Sequence, residues 1–380
     1  MKKSTTKILL AHSSNDLYGA SKILINIVEI LIMEGYKVYL FLPEKGPLND
    51  IDIINKCNIK IIEFGVFRKR YFNFFGLINR FYHIIKSTFV IRSFILKNKI
   101  DLIYTNTSTL ISPTIASKFS GMTSIFHIHE IPVSSKLYTR FLAAFFNIFS
   151  SNVISVSNAV SNYWIKNGLN KEKIITIHNG FNFNFKAEKK LSKSELVFCN
   201  VSRIIPYKGH DFLIELFNEL SKNRNDLILN IIGDTLPEYE SYYNELKEKV
   251  LKYNLTNKIN FIGYQSDVKK YLEKSHFFIH CPISPDPLPT VIFEAIESST
   301  PVIFTNLGGA YEILDSGKNG LGIDHLSLKK SVESILEFID NTFEQEKNVR
   351  NAKRFVKKNF PLNSFNYNLK TLISEIVEKT

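Results

Sequence analysis

The chain is predicted to be an α/β protein built from two doubly wound parallel-sheet domains. Three observations carry this. At 380 residues it is longer than one ordinary core organises, and two domains of roughly 150 to 200 residues are the default. Short apolar runs alternate with stretches of helical periodicity, the pattern of a parallel sheet covered on both faces. The alternation breaks once, at "FNFNFKAEKKLSKSE" (181–195), which is polar, lysine-rich, without a period, and reads as a linker.

In the first half, "KILLAHSS" (7–14) reads as a buried strand. "GASKILINIVEILIMEGY" (19–36) has helical spacing at Ile23, Ile27, Ile30 and Leu31, with Gly35 where a helix would stop. "KVYLFLP", "IKIIEF", "DLIYTNT", "SIFHIHE", "VISVS" and "IITIHNG" follow as strands. In the second half the strands are "LVFCNVS", "LILNIIG", "INFIG", "FFIHCP" and "PVIFTN", and the tail after Pro361 is predicted to close the chain as a helix. The boundaries are 1–182, 183–360 and 361–380.

Bulk composition narrows the class. Hydrophobic content of 44% supports packed structure rather than disorder. The net charge of +12 points to an anionic partner: a nucleotide, a nucleic acid or an anionic membrane surface. Cys57, Cys199 and Cys281 are scattered and odd in number, which fits a reducing cytosol and argues against a disulfide framework. No CxxC pair suggests a zinc site. The N-terminal apolar run is too short for a signal peptide, and no run is long enough to span a membrane.

In open parallel sheets ligands sit beyond the carboxyl ends of the strands. Polar residues collect at those predicted ends: His12 to Asn15, Asn106, Thr107, His129, Glu130, Ser157, Asn158, Asn179, Arg203, Asp234 and Asp286. Arg203 follows a strand, and Lys208 precedes Gly209 and a helix. Two cations beside a helix N-terminus suit a diphosphate, because free N–H groups and the helix dipole add to their attraction. Spacing alone also fits two solvated surface cations.

"SPDPLPTVIFEAIES" (284–298) places Asp286 eight residues before Glu294. Pro289 fits the first turn of a helix, with Val291, Ile292 and Ala295 inward. The N–H groups of Thr290 and Val291 would then face a ligand, with Glu294 able to accept hydrogen bonds from a diol. Read in isolation, the two acids fit a cap and an exposed helix glutamate better. Beside phosphate-binding donors they fit a sugar nucleotide.

The ordered set of motifs resembles a retaining glycosyltransferase of family 4, which has the GT-B fold. The resemblance covers nearly the whole chain, from "YGAS" (18–21) through "FHIHE", "VISVSNAVSNYWIKNG", "IITIHNGFN", "SRIIPYKG", "LNIIGD" and "INFIGY" to "DPLPTVIFEA" and "PVIFTNLGGAYEIL". It implies two Rossmann-like domains facing across a cleft, with the closing helix crossing back to the first. It also implies that Arg203 and Lys208 grip the donor diphosphate and that Glu294 binds the ribose. Asp286 would contact donor-sugar hydroxyls, His129 would lie near the anomeric centre, and Gly19 would let the backbone approach the donor. Gly308, Gly309 and Glu312 would flank the pocket. The activity implied is transfer from a nucleotide diphosphate sugar to a lipid-linked glycan in bacterial surface polysaccharide synthesis. A sugar-nucleotide epimerase and a non-catalytic scaffold on the same fold are the alternatives. The departures are Asp286 for the usual Glu, Pro289 for Gly, and Tyr18–Gly19 for a Gly-Gly pair; they bear on the choice of donor sugar.

No cofactor or metal is expected, because two cations and helix N–H groups can neutralise the leaving diphosphate. The DxD at Asp50–Asp52 reads as a coincidence. A nicotinamide dehydrogenase is disfavoured, since no GxGxxG follows the first strand. His127 is assigned the alternate strand phase to His129, so that the two face opposite ways, with His127 in the core.

"FRKRYFNFFGLINRFYHIIKSTFVIRSFILKNK" (67–99) carries eight Lys/Arg, no acid and nine Phe/Tyr. Phe74, Leu77, Ile78, Phe81, Ile85 and Phe89 follow helical spacing. This fits an amphipathic helix on anionic lipid, although an apolar face packed on the sheet is compatible with it. "KLYTRFLAAFFNIFS" (136–150) adds a second aromatic helix. No nucleic-acid-binding module is recognised. The expected location is cytoplasmic, peripheral on the inner face of the cell membrane.

Overall fold

The computed structural model describes residues 5–17, 19–66, 74–132, 136–186 and 194–379. The chain divides into two compact units, 1–180 with 362–380, and 181–361.

The first unit holds seven parallel strands: β1 (Lys7–Ala11), β2 (Lys37–Leu42), β3 (Asn58–Ile61), β4 (Leu102–Thr105), β5 (Thr123–Ile128), β6 (Asn152–Ser155) and β7 (Ile174–Thr176). Their order is β3-β2-β1-β4-β5-β6-β7. The chain therefore works outward from β1 on one side, then returns to its other side at β4. The gap between the ends of β1 and β4 is the topological switch point, where a doubly wound sheet leaves room for a ligand. Strands such as β4 are buried on both faces, as their unbroken apolar runs require.

Helix Gly19–Met33 covers one face and buries Ile23, Leu24, Ile27, Val28, Ile30 and Leu31. Helix Leu362–Glu378 belongs to this unit: Phe365, Leu369, Ile373 and Ile376 enter the same core. Tyr36 Oη lies 3.4 Å from Ser374 Oγ, and Lys370 Nζ pairs with Glu34 at 2.7 Å.

The second unit holds six parallel strands: β8 (Leu196–Val201), β9 (Leu227–Ile232), β10 (Ile259–Gly263), β11 (Phe277–His280), β12 (Val302–Thr305) and β13 (Leu321–Ile323). Their order, β10-β9-β8-β11-β12-β13, puts a second switch point between β8 and β11. Strand β13 was not anticipated from the sequence; with Gly320 before it and Gly322 inside it, its three residues make no apolar run.

The linker assignment needs correction. Residues 187–193 lie outside the described residues, but 181–186 are packed, not loose. Phe181, Phe183 and Phe185 alternate with polar residues, and Phe181 stacks at 4.3 Å on Phe293, which in turn meets Phe360 at 5.1 Å. The backbone N–H of Asn184 donates to Glu297 Oε1 at 2.7 Å, and that of Lys186 to the Glu297 carbonyl at 2.8 Å.

Of the basic aromatic segment, residues 67–73 lie outside the described residues; the rest forms helix Phe74–Asn98. Ile84, Ile91 and Ile95 are buried, while Phe75 (80% exposed), Ile78, Phe81, Tyr82, Ile85 and Phe89 (67%) stand in solvent. The helix thus has two apolar rows, of which the sequence stripe is the outer one. In helix Lys136–Phe149, Leu142, Ala143, Phe145 and Phe146 are buried, and Leu137, Phe141 and Ile148 are exposed. Among the described residues no helix is long and apolar enough to cross a membrane.

Candidate active site

In the second unit, the loops after β8 and β11 meet at the switch point. After β8 the chain passes Ser202 and Arg203, then makes a short turn over Pro206–Lys208 into helix His210–Asn223. Gly209 joins them with φ +76°, and a Cβ there would lie 2.0 Å from the Cys281 carbonyl oxygen. Only glycine permits this approach, which carries Lys208 to the loop after β11.

That loop, 281–289, is held at three points. The Pro282 carbonyl accepts from Thr305 Oγ1 at 2.8 Å, the Ile283 N–H donates to the Tyr207 carbonyl at 3.1 Å, and the Asp286 carbonyl accepts from the Gly309 N–H at 2.7 Å. Asp286, with its side chain 12% exposed, hydrogen-bonds the Lys208 ammonium and lies 3.4 Å from His280 Nε2. Burial pushes its carboxyl up, but the Lys208 cation and the His280 imidazole outweigh that and hold it well below the usual carboxylate range. Buried His280 is lowered by desolvation, with Asp286 opposing. Arg203 and Tyr207 share the neighbourhood: burial and Tyr239 raise the Tyr207 phenol, the Arg203 cation lowers it, and Asp286 raises it again.

Helix Thr290–Glu297 follows at once. Pro289 is its N-cap rather than a first-turn residue, and no side chain caps the N-terminus. Ile292 and Ala295 are buried as predicted, whereas Val291, like Thr290 and Glu294, is half-buried. Gly308 and Gly309 serve this loop directly: a Cβ at Gly308 would lie 2.3 Å from the Asp286 carbonyl oxygen, and one at Gly309 would lie 2.3 Å from that of Pro287. Glu312 is half-buried on the same short helix, Gly308–Ile313.

In the first unit the ends of β1, β4 and β5 form a second polar cluster. His129 follows β5 and donates from Nε2 to Asn106 Oδ1 at 2.8 Å. Its backbone N–H donates to Glu130 Oε2 at 3.1 Å. The Glu130 carboxylate also accepts from Thr107 Oγ1 at 2.7 Å and from the Ser108 N–H and Oγ at 3.1 and 2.9 Å. His12 Nδ1 lies 3.2 Å from the Asn106 carbonyl oxygen.

The opposed phase assigned to the two histidines is wrong. Residues two apart on a strand share a face, and the rings of His127 and His129 lie 4.3 Å apart. His127 is buried, bonded through Nδ1 to Tyr104 Oη at 2.8 Å, and pushed down to about 3 by desolvation. Gly19 starts helix Gly19–Met33, and a Cβ added there would meet nothing within 4 Å. The protein itself therefore sets no steric demand for glycine at 19. Tyr18 lies outside the described residues. Asp50 and Asp52 fall on a short turn and the start of a four-residue helix.

The structure thus gathers Arg203, Lys208, Asp286, Thr290, Val291, Glu294, Gly308, Gly309 and Glu312 in one unit, and His129 and Gly19 in the other. It adds His280 to the site and gives Glu297, at the far end of the helix, a part in holding 184–186, roles the sequence did not show. His280 closes an apolar run, and Glu297, paired with Lys269 at 2.8 Å, follows Glu294 by less than a turn.

Two family models match the chain, one on each half. The one described as Glycosyltransferase Family 4 matches residues 18–185, and the one described as Glycosyl transferases group 1 matches residues 182–355. The protein is a glycosyltransferase. The chain belongs to glycosyltransferase family 4. It is similar to the uncharacterised glycosyltransferase MJ1069 of Methanocaldococcus jannaschii, 24% identical over 86% of this chain and 87% of that protein. It is also similar to the capsular polysaccharide biosynthesis glycosyltransferase CapH of Staphylococcus aureus, 29% identical over 45% of this chain and 47% of CapH. Among solved structures, Anabaena HepE in complex with UDP-glucose aligns over 97% of this chain and 99% of that chain, with a TM-score of 0.80 and 22% identity. That likeness shows the GT-B fold.

Proposed function

We propose that the protein transfers a sugar from a uridine diphosphate donor to a lipid-linked glycan with retention at the anomeric carbon, in bacterial surface polysaccharide synthesis. The observation that carries this reading is the pairing of Lys208 with Asp286 beside Arg203 and the uncapped N-terminus of helix Thr290–Glu297. Two cations and a row of backbone N–H groups suit a diphosphate leaving group without a metal. Glu294, within the first turns of the helix, serves the ribose; Asp286 serves the sugar. His129 and Gly19, in the first unit, are assigned a sugar-binding role, and Glu312, in the second, lies beside the pocket loop. HepE, whose solved complexes contain UDP and UDP-glucose, supports a uridine donor, and CapH supports a surface-polysaccharide role. In the retaining scheme the departing phosphate oxygen takes the acceptor proton on the face it leaves.

Product analysis tests this. With a panel of UDP-sugars and a membrane extract, one donor is expected to give a labelled lipid-linked product with the donor's anomeric configuration. An epimerised sugar nucleotide formed without acceptor, or an inverted linkage, overturns the reading.

Membrane contact belongs to the same proposal. The outer row Ile78, Phe81, Ile85 and Phe89 is flanked by exposed Lys86, Arg92 and Lys97, and fits an anionic lipid surface. The protein is expected to co-sediment with phosphatidylglycerol vesicles, and Phe81→Ser with Phe89→Ser to weaken this at least roughly tenfold, since each buried aromatic contributes about 2 kcal/mol. Equal sedimentation of the variant and wild type would rule the helix out as the contact.

A further inference from the structure

Asn106 is fully buried at the end of β4, with its side-chain amide between two elements. Its Nδ2 lies 3.2 Å from the Ala20 carbonyl oxygen at the start of helix Gly19–Met33. A carbonyl can only accept, so the amide is oriented, and Oδ1 is the atom that faces His129 Nε2 at 2.8 Å. An amide oxygen can only accept as well, so the proton of neutral His129 resides on Nε2. Nδ1 keeps its lone pair and makes no hydrogen bond among the described residues, and the side chain is partly open to solvent. The backbone at His129 is fixed independently, by Glu130 Oε2 and by Trp164 Nε1, which donates to the Glu130 carbonyl at 3.2 Å.

We propose that Asn106 is a positioning residue that locks His129 in its Nε2–H tautomer, so that Nδ1 accepts a hydrogen bond from a substrate hydroxyl. The inference rests on the placement of His129 in the active site given under the proposed function. It specifies more than that placement: His129 accepts and does not donate at its open nitrogen, and a group with no substrate contact decides this. Groups around the ring are arranged to keep it neutral. Burial, His127 on the same strand end and His12 from β1 all push His129 well below the ordinary imidazole range. Tyr104 stands behind His127, and Asp16 behind His12 through Ser21. The Glu130 carboxylate is turned to backbone N–H and hydroxyl donors.

The test reads the tautomer directly, on full-length protein labelled with ring-15N histidine, with His129→Asn to assign the signal. The wild type is expected to show Nε2–H without substrate. In Asn106→Asp the new carboxylate keeps the acceptor but favours imidazolium. His129 should then titrate at higher pH, and kcat should fall roughly tenfold or more, with an acid limb absent from the wild type. An Nδ1–H signal in the wild type overturns the proposal, as does an Asn106→Asp protein whose titration and rate both match wild type. Loss in donor hydrolysis without acceptor assigns the hydroxyl to the donor; loss in transfer alone assigns it to the acceptor. If the tautomer is Nε2–H but His129→Ala transfers at full rate, the hydroxyl contact and the placement of His129 fall together, while the Lys208 site stands.

Discussion

Lys208→Ala lowers turnover by roughly 100-fold or more at saturating donor, about 3 kcal/mol of transition-state stabilisation. The size follows from what the ammonium does in the absence of donor. It neutralises Asp286 in a site where that carboxylate has, among the described residues, one other side-chain partner, His280. An entering diphosphate competes for the same cation, and as the sugar bond breaks the negative charge on the leaving group grows. Lys208 gains attraction in the transition state that it lacks in the ground state, which is the condition for raising kcat rather than affinity alone.

The substitution also leaves the Asp286 carboxylate buried without its cation. Burial then raises its pKa with only His280 opposing. Breaking one side of a buried pair costs more than removing both. Lys208→Ala should therefore melt earlier than Lys208→Ala combined with Asp286→Asn, although neither restores the rate. Thermal unfolding and single-turnover kinetics on the two proteins separate folding from chemistry. A Lys208→Ala enzyme within a few-fold of wild type would remove the diphosphate role.

The two sheets were legible because buried parallel strands such as β1, β4 and β12 read as continuous apolar runs, whereas the edge strand β3 is mostly exposed. β13 escaped because three residues with Gly322 at their centre leave no run to read. The site was legible as a set of residue types at strand ends, since the switch point follows from topology alone. Its pairings were not. Lys208 and Asp286 are 78 residues apart, and the approach of Gly209 to Cys281, with the Ile283 N–H bond to the Tyr207 carbonyl, brings them together. His280 was hidden as the last residue of an apolar strand. The segment 181–186 was misread because the lysines at 186–193 were weighed above its alternating phenylalanines, of which Phe181 and Phe183 pack on Phe293 of the helix carrying Glu294. His127 is in the core as expected, but the opposed facing assigned to it and His129 was an error of phase, and its correction turns an isolated histidine into one member of a coupled cluster.

Gly308→Ala should destabilise the second unit by roughly 3 kcal/mol, combining backbone strain with steric overlap. Gly308 has φ +61°, where an L side chain is strained. A methyl there would lie 2.3 Å from the Asp286 carbonyl oxygen and 2.6 Å from its amide nitrogen. Both atoms are backbone, so no rotamer change relieves the clash; the loop that presents Asp286 must move. That movement breaks the Gly309 N–H bond to the Asp286 carbonyl and draws the carboxylate from Lys208. Gly317 supplies the control. Its φ is +87°, but an added Cβ meets nothing closer than 3.7 Å, so Gly317→Ala pays the strain without the overlap. It should cost about 1 kcal/mol. Urea unfolding of the two variants isolates the steric part, and the Asp286-dependent rate should fall in Gly308→Ala alone. Equal stabilities would mean that the Gly-Gly pair is a turn like any other; a gap near 2 kcal/mol with loss of turnover means that its function is to hold the Asp286 loop against Lys208.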